Sequence, residues 1–224
     1  MAHLDLEEQE QLDQIKHFWK QYGNLITWLL IVILAAYASW NGWQYWQRKQ
    51  AVQAAALYDE LERVARAGDL TKLERVLADM QEQFGATTSA HQAALLAAKS
   101  YVDAGKNDAA KAALNFVAEK AKDEGYQAIA RLRLVGLLLE TKAYDEALKL
   151  LSAKFPPEFS ALADDRRGDI YLAQGKPSEA SAEYQKAYRA MPKDFDYRRL
   201  LEIKLAALGI STDTQTASQS GAKP

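Results

Sequence analysis

Hydrophobic and polar positions follow two different patterns along this chain of 224 residues. Residues 25–46 are almost wholly apolar, and no charged residue occurs between Lys20 and Arg48. A helix of this length would span about 33 Å, which matches a hydrocarbon core of about 30 Å. The aromatic residues at its far end, Trp40, Trp43 and Trp46, are of the type that lies at the headgroup level of a bilayer. This segment is therefore predicted to be a single transmembrane helix.

Two alternatives exist for the apolar segment. A cleavable signal peptide would use the small residues at 36–38 as its cleavage site, but its leading region should be short and basic. Here the preceding segment, residues 1–24, is long and net acidic. A buried core helix is the second alternative, but residues 25–40 contain only Thr27 and Ser39 as polar positions. A permanent membrane anchor is favoured.

Beyond the anchor, apolar positions recur at helical spacing from residue 51 to residue 209, and Gly, Asn, Asp or Pro interrupts them at intervals. Runs that alternate between apolar and polar residues are missing, so we expect an all-α fold with no sheet. The interruptions predict helix pairs at about 50–67 with 70–84, 89–104 with 107–121, 126–140 with 144–153, and 160–174 with 177–190, and a final helix at about 195–208.

The last predicted pair has the pattern of a helical repeat, with Gly168, Tyr171, Ala180 and Tyr184 in order and Pro192 closing it. This order is typical of a tetratricopeptide repeat, in which small residues let two helices cross closely. Equivalent positions at 73, 110, 147 and 180 are 37, 37 and 33 residues apart, so the array is not a strict repeat of about 34 residues. An irregular helical bundle remains the alternative.

These patterns divide the chain into four parts. They are an acidic N-terminal segment (1–24), a transmembrane helix (25–46), a tetratricopeptide-like helical repeat domain (47–210) and a tail (211–224). The tail is rich in Ser, Thr, Gln, Ala and Gly, so we expect it to be disordered.

Composition and candidate chemistry exclude several functions. The 28 basic and 30 acidic residues nearly balance and form no basic run, so nucleic-acid binding is not expected. Cysteine is absent, and the three histidines have no second ligand at metal-site spacing. His91 is expected to be solvated or to cap a helix. Asp164, Asp165 and Asp169, beside two arginines, are expected to form a solvated, paired helix face. We predict a non-enzymatic protein without metal or cofactor.

Stacked helical hairpins offer a concave surface, lined by the first helix of each pair, that can bind segments of other proteins. The tetratricopeptide frame gives a mixed, rather apolar lining. The predicted groove positions are Gln92, Leu95, Lys99, Val102, Asp103, Ile129, Leu132, Gly136, Leu139, Glu140, Leu162, Asp165, Asp169, Leu172 and Ala173. Alternatively, the final helix, 197–208, packs on some of these leucines and fills the groove. Both interpretations remain open.

A family resemblance rests on motifs near the membrane. An acidic N-terminus leads into EQLDQIKHFW at 10–19, the pair Tyr22-Gly23, one apolar helix, GWQYW at 42–46 and an Ala-rich helical repeat domain. Over about residues 8–210 this layout resembles the ancillary SecYEG translocon subunit family, the YfgM-like proteins of Gram-negative bacteria. The resemblance implies a non-catalytic accessory subunit of the Sec protein-export translocon that binds chaperone or newly exported proteins through its repeat domain.

The resemblance also implies partners and a location. The implied partners are the SecYEG translocon, the membrane-anchored periplasmic chaperone PpiD, exported client proteins and a cytoplasmic response regulator, and residues 25–46 would contact the lipid bilayer. The implied location is the bacterial inner membrane, single-pass, with the N-terminus cytoplasmic and the C-terminal domain periplasmic. Basic residues on the two sides of the anchor do not decide this orientation. A scaffold for another envelope assembly, or a regulator acting through its N-terminus, remain alternatives.

Overall fold

The computed structural model describes the backbone of residues 6–211 and the side chains of residues 12–211. Within that range all regular secondary structure is α-helical, which confirms the all-α prediction. The nine described helices are α1 (Leu6–Ala67), α2 (Leu70–Phe84), α3 (Thr88–Asp103), α4 (Asn107–Lys120), α5 (Glu124–Glu140), α6 (Tyr144–Leu151), α7 (Pro157–Ala173), α8 (Pro177–Ala190) and α9 (Tyr197–Ala207). The tail that was predicted to be disordered, 211–224, lies outside the described residues except for Ser211, and so do the first five residues of the acidic segment.

Helix α1 differs from the prediction because it is continuous. Separate helices were expected at 25–46 and at about 50–67, whereas α1 extends without a break from Leu6 to Ala67. The polar residues near its middle bond back to the helix itself. Ser39 Oγ donates to the carbonyl of Ala35 over 2.8 Å, and Asn41 Nδ2 donates to the carbonyl of Tyr37 over 3.1 Å. These residues therefore satisfy their own polar groups without interrupting the helix.

The chain divides into two compact units, residues 1–52 and residues 53–224. The first unit contains the apolar part of α1, whose large side chains are uncovered. Trp28, Leu34 and Trp40 are 62%, 64% and 63% exposed. The most apolar 18-residue window has a mean hydropathy of 1.7, and 6% of it is buried. By length and composition, α1 is the one helix of the described residues able to cross a membrane.

The second unit is built from helical hairpins. Helix α3 packs on α4, α5 on α6, and α7 on α8, and neighbouring hairpins pack through α4 with α5 and through α5 with α7. The last part of α1 joins α2 in the same core, where Leu61, Val64, Leu73 and Leu77 are buried. Helix α9 packs against α8. Each hairpin thus buries its apolar face against the next, as expected for a helical repeat.

Each hairpin turns through one residue with positive φ. These residues are Gly68 (71°), Gly105 (71°), Lys142 (59°) and Gly175 (74°), which are 37, 37 and 33 residues apart. The left-handed conformation ends the first helix of each pair, and glycine adopts it at least cost. Their spacing equals the spacing of the predicted equivalent positions 73, 110, 147 and 180, all of which are fully buried. The four hairpins therefore share one repeat frame.

Candidate binding groove

A groove of about 590 Å³ lies along the first helices of three hairpins, α3, α5 and α7. Apolar side chains form most of its surface, with charged groups among them. Because the pairs stack side by side, the first helices present neighbouring faces to the same space. The lining residues are Ala98, Lys99, Val102, Asp103, Leu114, Ile129, Leu132, Arg133, Gly136, Leu137, Glu140, Phe159, Leu162, Arg166, Phe195 and Tyr197.

The structure brings together eight of the predicted groove positions. They lie at helical spacing on one face of α3, α5 or α7, which explains why a repeat frame could identify them. These eight residues are Lys99, Val102, Asp103, Ile129, Leu132, Gly136, Glu140 and Leu162.

Five other predicted positions lie outside the groove lining. Leu95 is only 8% exposed and belongs to the core. Gln92 is exposed, and its amide donates to a tyrosine hydroxyl of α5 over 2.7 Å. Leu139 packs against the core formed by α5, α6 and α7. Leu172 and Ala173, in the last turn of α7, are exposed away from the groove.

The expectation that Asp164, Asp165 and Asp169 form a solvated helix face is wrong, and neither Asp165 nor Asp169 lines the groove. Asp165 is fully buried and accepts hydrogen bonds from Tyr197 Oη (2.8 Å) and Lys204 Nζ (2.7 Å). Asp169 accepts from Lys204 Nζ (2.6 Å) and Tyr184 Oη (2.7 Å). The physical reason is α9, which packs over this part of α7 and brings its lysine between the two carboxylates. We call Asp165, Asp169, Tyr184, Tyr197 and Lys204 the carboxylate cluster.

The groove is therefore neither fully open nor filled by α9, because this helix covers only part of α7. It covers the carboxylates of α7, and Leu162 packs against the cluster that contains Leu201 and Leu205 of α9. Phe195 and Tyr197, at the entry to α9, contribute to the groove lining instead of filling it. The space along α3, α5 and the first turns of α7 remains open.

Asp164 is also buried, at 6% exposure, and links α7 to α8. Its Oδ1 atom accepts from Arg167 Nη1 and from Lys186 Nζ, both at 2.8 Å. Arg167 also donates to Glu183 over 3.0 Å and to the carbonyl of Leu151 over 3.1 Å. Burial by itself would lower the pKa of Arg167, but the hydrogen bonds and charges of Glu183 and Asp164 outweigh it and raise that pKa. Paired charges of this kind hold helices together.

The two tyrosines of the carboxylate cluster are held as hydrogen-bond donors. Burial raises the pKa of Tyr184 above its ordinary value, and the hydrogen bond to Asp169 raises it further. Burial and the hydrogen bond to Asp165 raise the pKa of Tyr197 in the same way. Both phenols therefore stay protonated near neutral pH, and their donors are already used within the cluster. The arrangement is suited to fastening α9 onto α7.

The expectation that His91 is solvated or caps a helix is also wrong. His91 is 4% exposed, and its ring centroid lies 5.8 Å from that of Phe116 and 6.4 Å from that of Tyr126. Its Nε2 atom has no hydrogen-bond partner among the described residues. Burial lowers the pKa of His91. The cap of α3 is supplied by Thr87, whose Oγ1 atom accepts from the amide of Ala90 over 3.3 Å.

The charged groups of the groove differ in how far they are already paired. Lys99 forms an ion pair with Asp103 at 2.5 Å. Arg133 Nη1 donates to a backbone carbonyl of α3 over 3.0 Å, and Arg166 Nη1 lies 3.2 Å from Oδ2 of a carboxylate of α7. The carboxylate of Glu140 has neither a hydrogen bond nor an ion pair with any described residue. An unpaired negative charge therefore stands at the groove.

Several lining residues were missed from the sequence. Phe159 lies in the first turn of α7, which begins at Pro157, whereas the predicted helix began at about residue 160. A proline at the first helical position is a start signal that could have corrected this boundary. Phe195 lies between helices, beyond the repeat frame, so periodicity gave no sign of it. Arg133 and Arg166 were missed because the tetratricopeptide frame places the preceding residues, Leu132 and Asp165, in the groove.

Comparison with known proteins adds to this geometry. The sequence model of a family described as a tetratricopeptide repeat-like domain matches residues 16–210. A Neisseria gonorrhoeae protein named ancillary SecYEG translocon subunit is 35% identical to this chain, over 92% of this chain and 99% of its own length. Proteins of the same name from Haemophilus influenzae and Escherichia coli are 28% and 24% identical. These two matches cover 83% and 80% of this chain and 90% and 85% of the relatives.

Proposed function

The chain belongs to the ancillary SecYEG translocon subunit family, and from that premise we propose that it is a membrane-anchored, non-catalytic accessory of the Sec protein-export translocon. The observation that carries the proposal is the match over 92% of the chain to a relative that carries this name. A match of that extent includes both the apolar helix and the repeat domain. The resemblance found in the sequence is thereby confirmed at the level of the family.

The proposed role of the repeat domain is to bind polypeptide in the groove along α3, α5 and α7. Support comes from the apolar lining, which includes Val102, Ile129 and Leu132, and from its volume of about 590 Å³. Grooves of this kind bury the apolar side chains of a bound segment, which is the main source of favourable free energy in such contacts. The proposed ligands are segments of a periplasmic chaperone such as PpiD, or of newly exported proteins.

The proposed topology places residues 1–24 in the cytoplasm, residues 25–46 across the inner membrane and residues 47–210 in the periplasm. An alkaline phosphatase domain fused after residue 224 tests it, because this enzyme is active only outside the cytoplasm. We expect high phosphatase activity from this fusion and no fluorescence from a matched fusion to green fluorescent protein. The opposite pair of results would contradict the proposed orientation.

Association with the translocon is tested by purifying the tagged full chain from membranes in a mild detergent and measuring SecY in the product. We expect SecY to co-purify with the chain. The control replaces residues 25–46 by an unrelated apolar span of equal length, which keeps the anchor but changes its surface. Absence of SecY from the unaltered chain at matched expression would contradict the proposal. Recovery of a different envelope assembly in its place would favour a scaffold role.

Binding in the groove is tested by placing a photo-crosslinking amino acid at Val102 or Leu132 of the full chain in membranes. Both residues line the groove. The matched control is Leu172, which is 45% exposed on α7 but lies outside the lining. We expect crosslinks to the chaperone or to exported proteins from the two groove positions and far fewer from the control. Equal yields from all three positions would contradict a binding role for the groove.

A further inference from the structure

Gly136 lies within α5, whose bounds are Glu124–Glu140, and it lines the groove. A Cβ atom added to Gly136 would meet no atom within 4 Å. Gly168 behaves differently, since a Cβ there would lie 2.5 Å from the ring of Tyr184. Packing within the chain therefore requires the glycine at 168 and does not require the one at 136. Glycine destabilises the interior of a helix relative to alanine, and packing within the chain does not explain why a glycine occupies position 136.

The missing side chain leaves a depression in the floor of the groove. Residues three and four positions apart share one face of a helix, so Leu132 lies one turn before Gly136 and Glu140 one turn after it. All three residues line the groove. Val102 of α3 and Leu162 of α7 line the same space. Apolar side chains therefore surround most of the depression, with the carboxylate of Glu140 one turn after it and the guanidinium of Arg133 three positions before it.

Glu140 is the carboxylate of the groove lining whose side chain has no ion pair or hydrogen bond with the described residues, whereas the guanidinium of Arg133 is held by its hydrogen bond to the carbonyl of Leu95 over 3.0 Å. Lys99 is already paired with Asp103, and Arg166 with Asp169. Glu140 has no such partner among the described residues. An unpaired carboxylate beside an apolar depression favours a ligand that carries a positive charge next to a large apolar group.

We propose that Gly136 forms the floor of a slot for one bulky apolar side chain of a polypeptide partner, whose neighbouring Lys or Arg pairs with Glu140. Four residues of helix separate the slot from the carboxylate by about 6 Å. The partner's apolar and basic side chains must therefore be about 6 Å apart, as they are at i and i+4 of a helix or i and i+2 of a strand. This inference rests on the proposed function only in that the groove binds polypeptide.

The experiment uses the full chain in detergent and two fluorescent peptides of about 16 residues. The first peptide is an amphipathic helix with leucines on one face and lysines one turn away; the second has glutamate in place of each lysine. Fluorescence anisotropy measures their affinities. We expect the lysine peptide to bind more tightly. Gly136→Leu should weaken binding of both peptides by about tenfold or more, because the leucine fills the slot. Glu140→Gln should weaken only the lysine peptide, by a few-fold.

The control for added bulk is Ala112→Leu, on the exposed face of α4 outside the groove lining, which should leave both affinities unchanged. If the melting temperature of Gly136→Leu is no lower than that of the unaltered chain, loss of folding does not explain weaker peptide binding. Leucine favours helix over glycine, so the melting temperature should hold or rise. Unchanged affinities in Gly136→Leu, or an equal loss in Ala112→Leu, would overturn the slot. A preference of the unaltered chain for the glutamate peptide would overturn the role of Glu140.

Co-purification of SecY with the same variants separates this inference from the proposed function. If Gly136→Leu leaves the peptide affinities unchanged while SecY co-purifies with the unaltered chain, the slot is refuted and the translocon role stands. If SecY is absent from the unaltered chain, the translocon role is refuted whatever the peptides do. Sedimentation of the unaltered chain and of Gly136→Leu gives the last outcome. If the unaltered chain self-associates, and the variant does not but keeps peptide binding, a second copy occupies the groove and the proposal is wrong.

Discussion

Replacing Gly168 by alanine perturbs the contact between α7 and α8. The added Cβ would lie 2.5 Å from Cε1 and 2.6 Å from Cδ1 of Tyr184. Tyr184 is 1% exposed, and its hydroxyl donates to Asp169 over 2.7 Å. The ring can therefore move aside only by losing a buried hydrogen bond. The alternative is that α7 and α8 separate, which loosens the packing around them.

The expected magnitude combines two opposing effects. Overpacking a close-packed core costs typically about 1–3 kcal/mol, and a contact this short belongs in the upper part of that range. Alanine in place of glycine within a helix contributes about 1 kcal/mol in the other direction. We expect Gly168→Ala to lower the free energy of unfolding by about 1–2 kcal/mol. Gly136→Ala, with nothing within 4 Å of its new Cβ, should raise it by about 1 kcal/mol.

The two variants are compared by urea unfolding of the full chain in detergent, followed by circular dichroism at 222 nm. Since the same atoms are added at both positions, the comparison isolates the environment of each glycine. Opposite signs are expected. For a domain of this size each kcal/mol corresponds to about 2–4 °C in the melting temperature, so thermal scans should rank the variants in the same order.

A Gly168→Ala variant that is as stable as the unaltered chain would refute the reasoning. A sharper test combines it with Tyr184→Leu, which removes the ring that the new methyl group meets. In the Tyr184→Leu background, alanine at 168 should cost less than it does alone, because the steric conflict is gone. Strict additivity of the two substitutions would show that the contact is not the cause.

Three further predictions concern other parts of the domain. Lys204→Met removes the shared cation of Asp165 and Asp169, so we expect a loss of about 3–5 kcal/mol in urea unfolding; a loss below about 1 kcal/mol would contradict the assigned pairing. Burial lowers the pKa of His91 below its ordinary 6.5. As the pH falls, the unfolded chain therefore protonates this histidine before the folded chain does. The free energy of unfolding that is present above pH 6.5 should then decrease as the pH falls below 6.5. The variant His91→Phe should therefore lose less stability than the unaltered chain between pH 7 and pH 5, and an equal loss would argue against this account. Lys142→Gly relieves a left-handed residue with φ 59° and should raise the free energy of unfolding by about 1 kcal/mol; an unchanged urea midpoint would count against strain at that turn.

The helical frame was predictable because its signals are local. Spacing of apolar residues along a few turns identifies a buried helix face, and glycines such as Gly68, Gly105 and Gly175 mark the turns that need positive φ. The third turn uses Lys142, so only the spacing of the repeat indicated it. The continuity of α1 was missed because the apolar segment ends at Trp46 and polar and charged residues follow at 47–49, although these residues continue the same helix.

The carboxylate cluster was not predictable from the same signals. Asp165 meets Tyr197 and Lys204, which are 32 and 39 residues further along the chain. Charges three or four positions apart suggested a solvated face, since local spacing cannot show that a later helix will cover it. His91 was missed for a similar reason, because its aromatic neighbours come from α4 and α5. Only the tertiary arrangement decides which polar residues are enclosed.

The fastening of α9 onto α7 determines where the molecule tolerates being shortened or extended. Removing residues after 211 leaves Lys204, Leu201 and Leu205 in place. Truncating before Tyr197 would take away that lysine together with two leucines that are at most 1% exposed. Asp165 would then lack its cation, and the apolar surface that those leucines cover would be bare. A product trimmed there should precipitate or be degraded, whereas a tag joined beyond residue 211 should be harmless. We therefore expect solubility to require α9, and a minimal fragment prepared for crystals or binding assays should retain this helix.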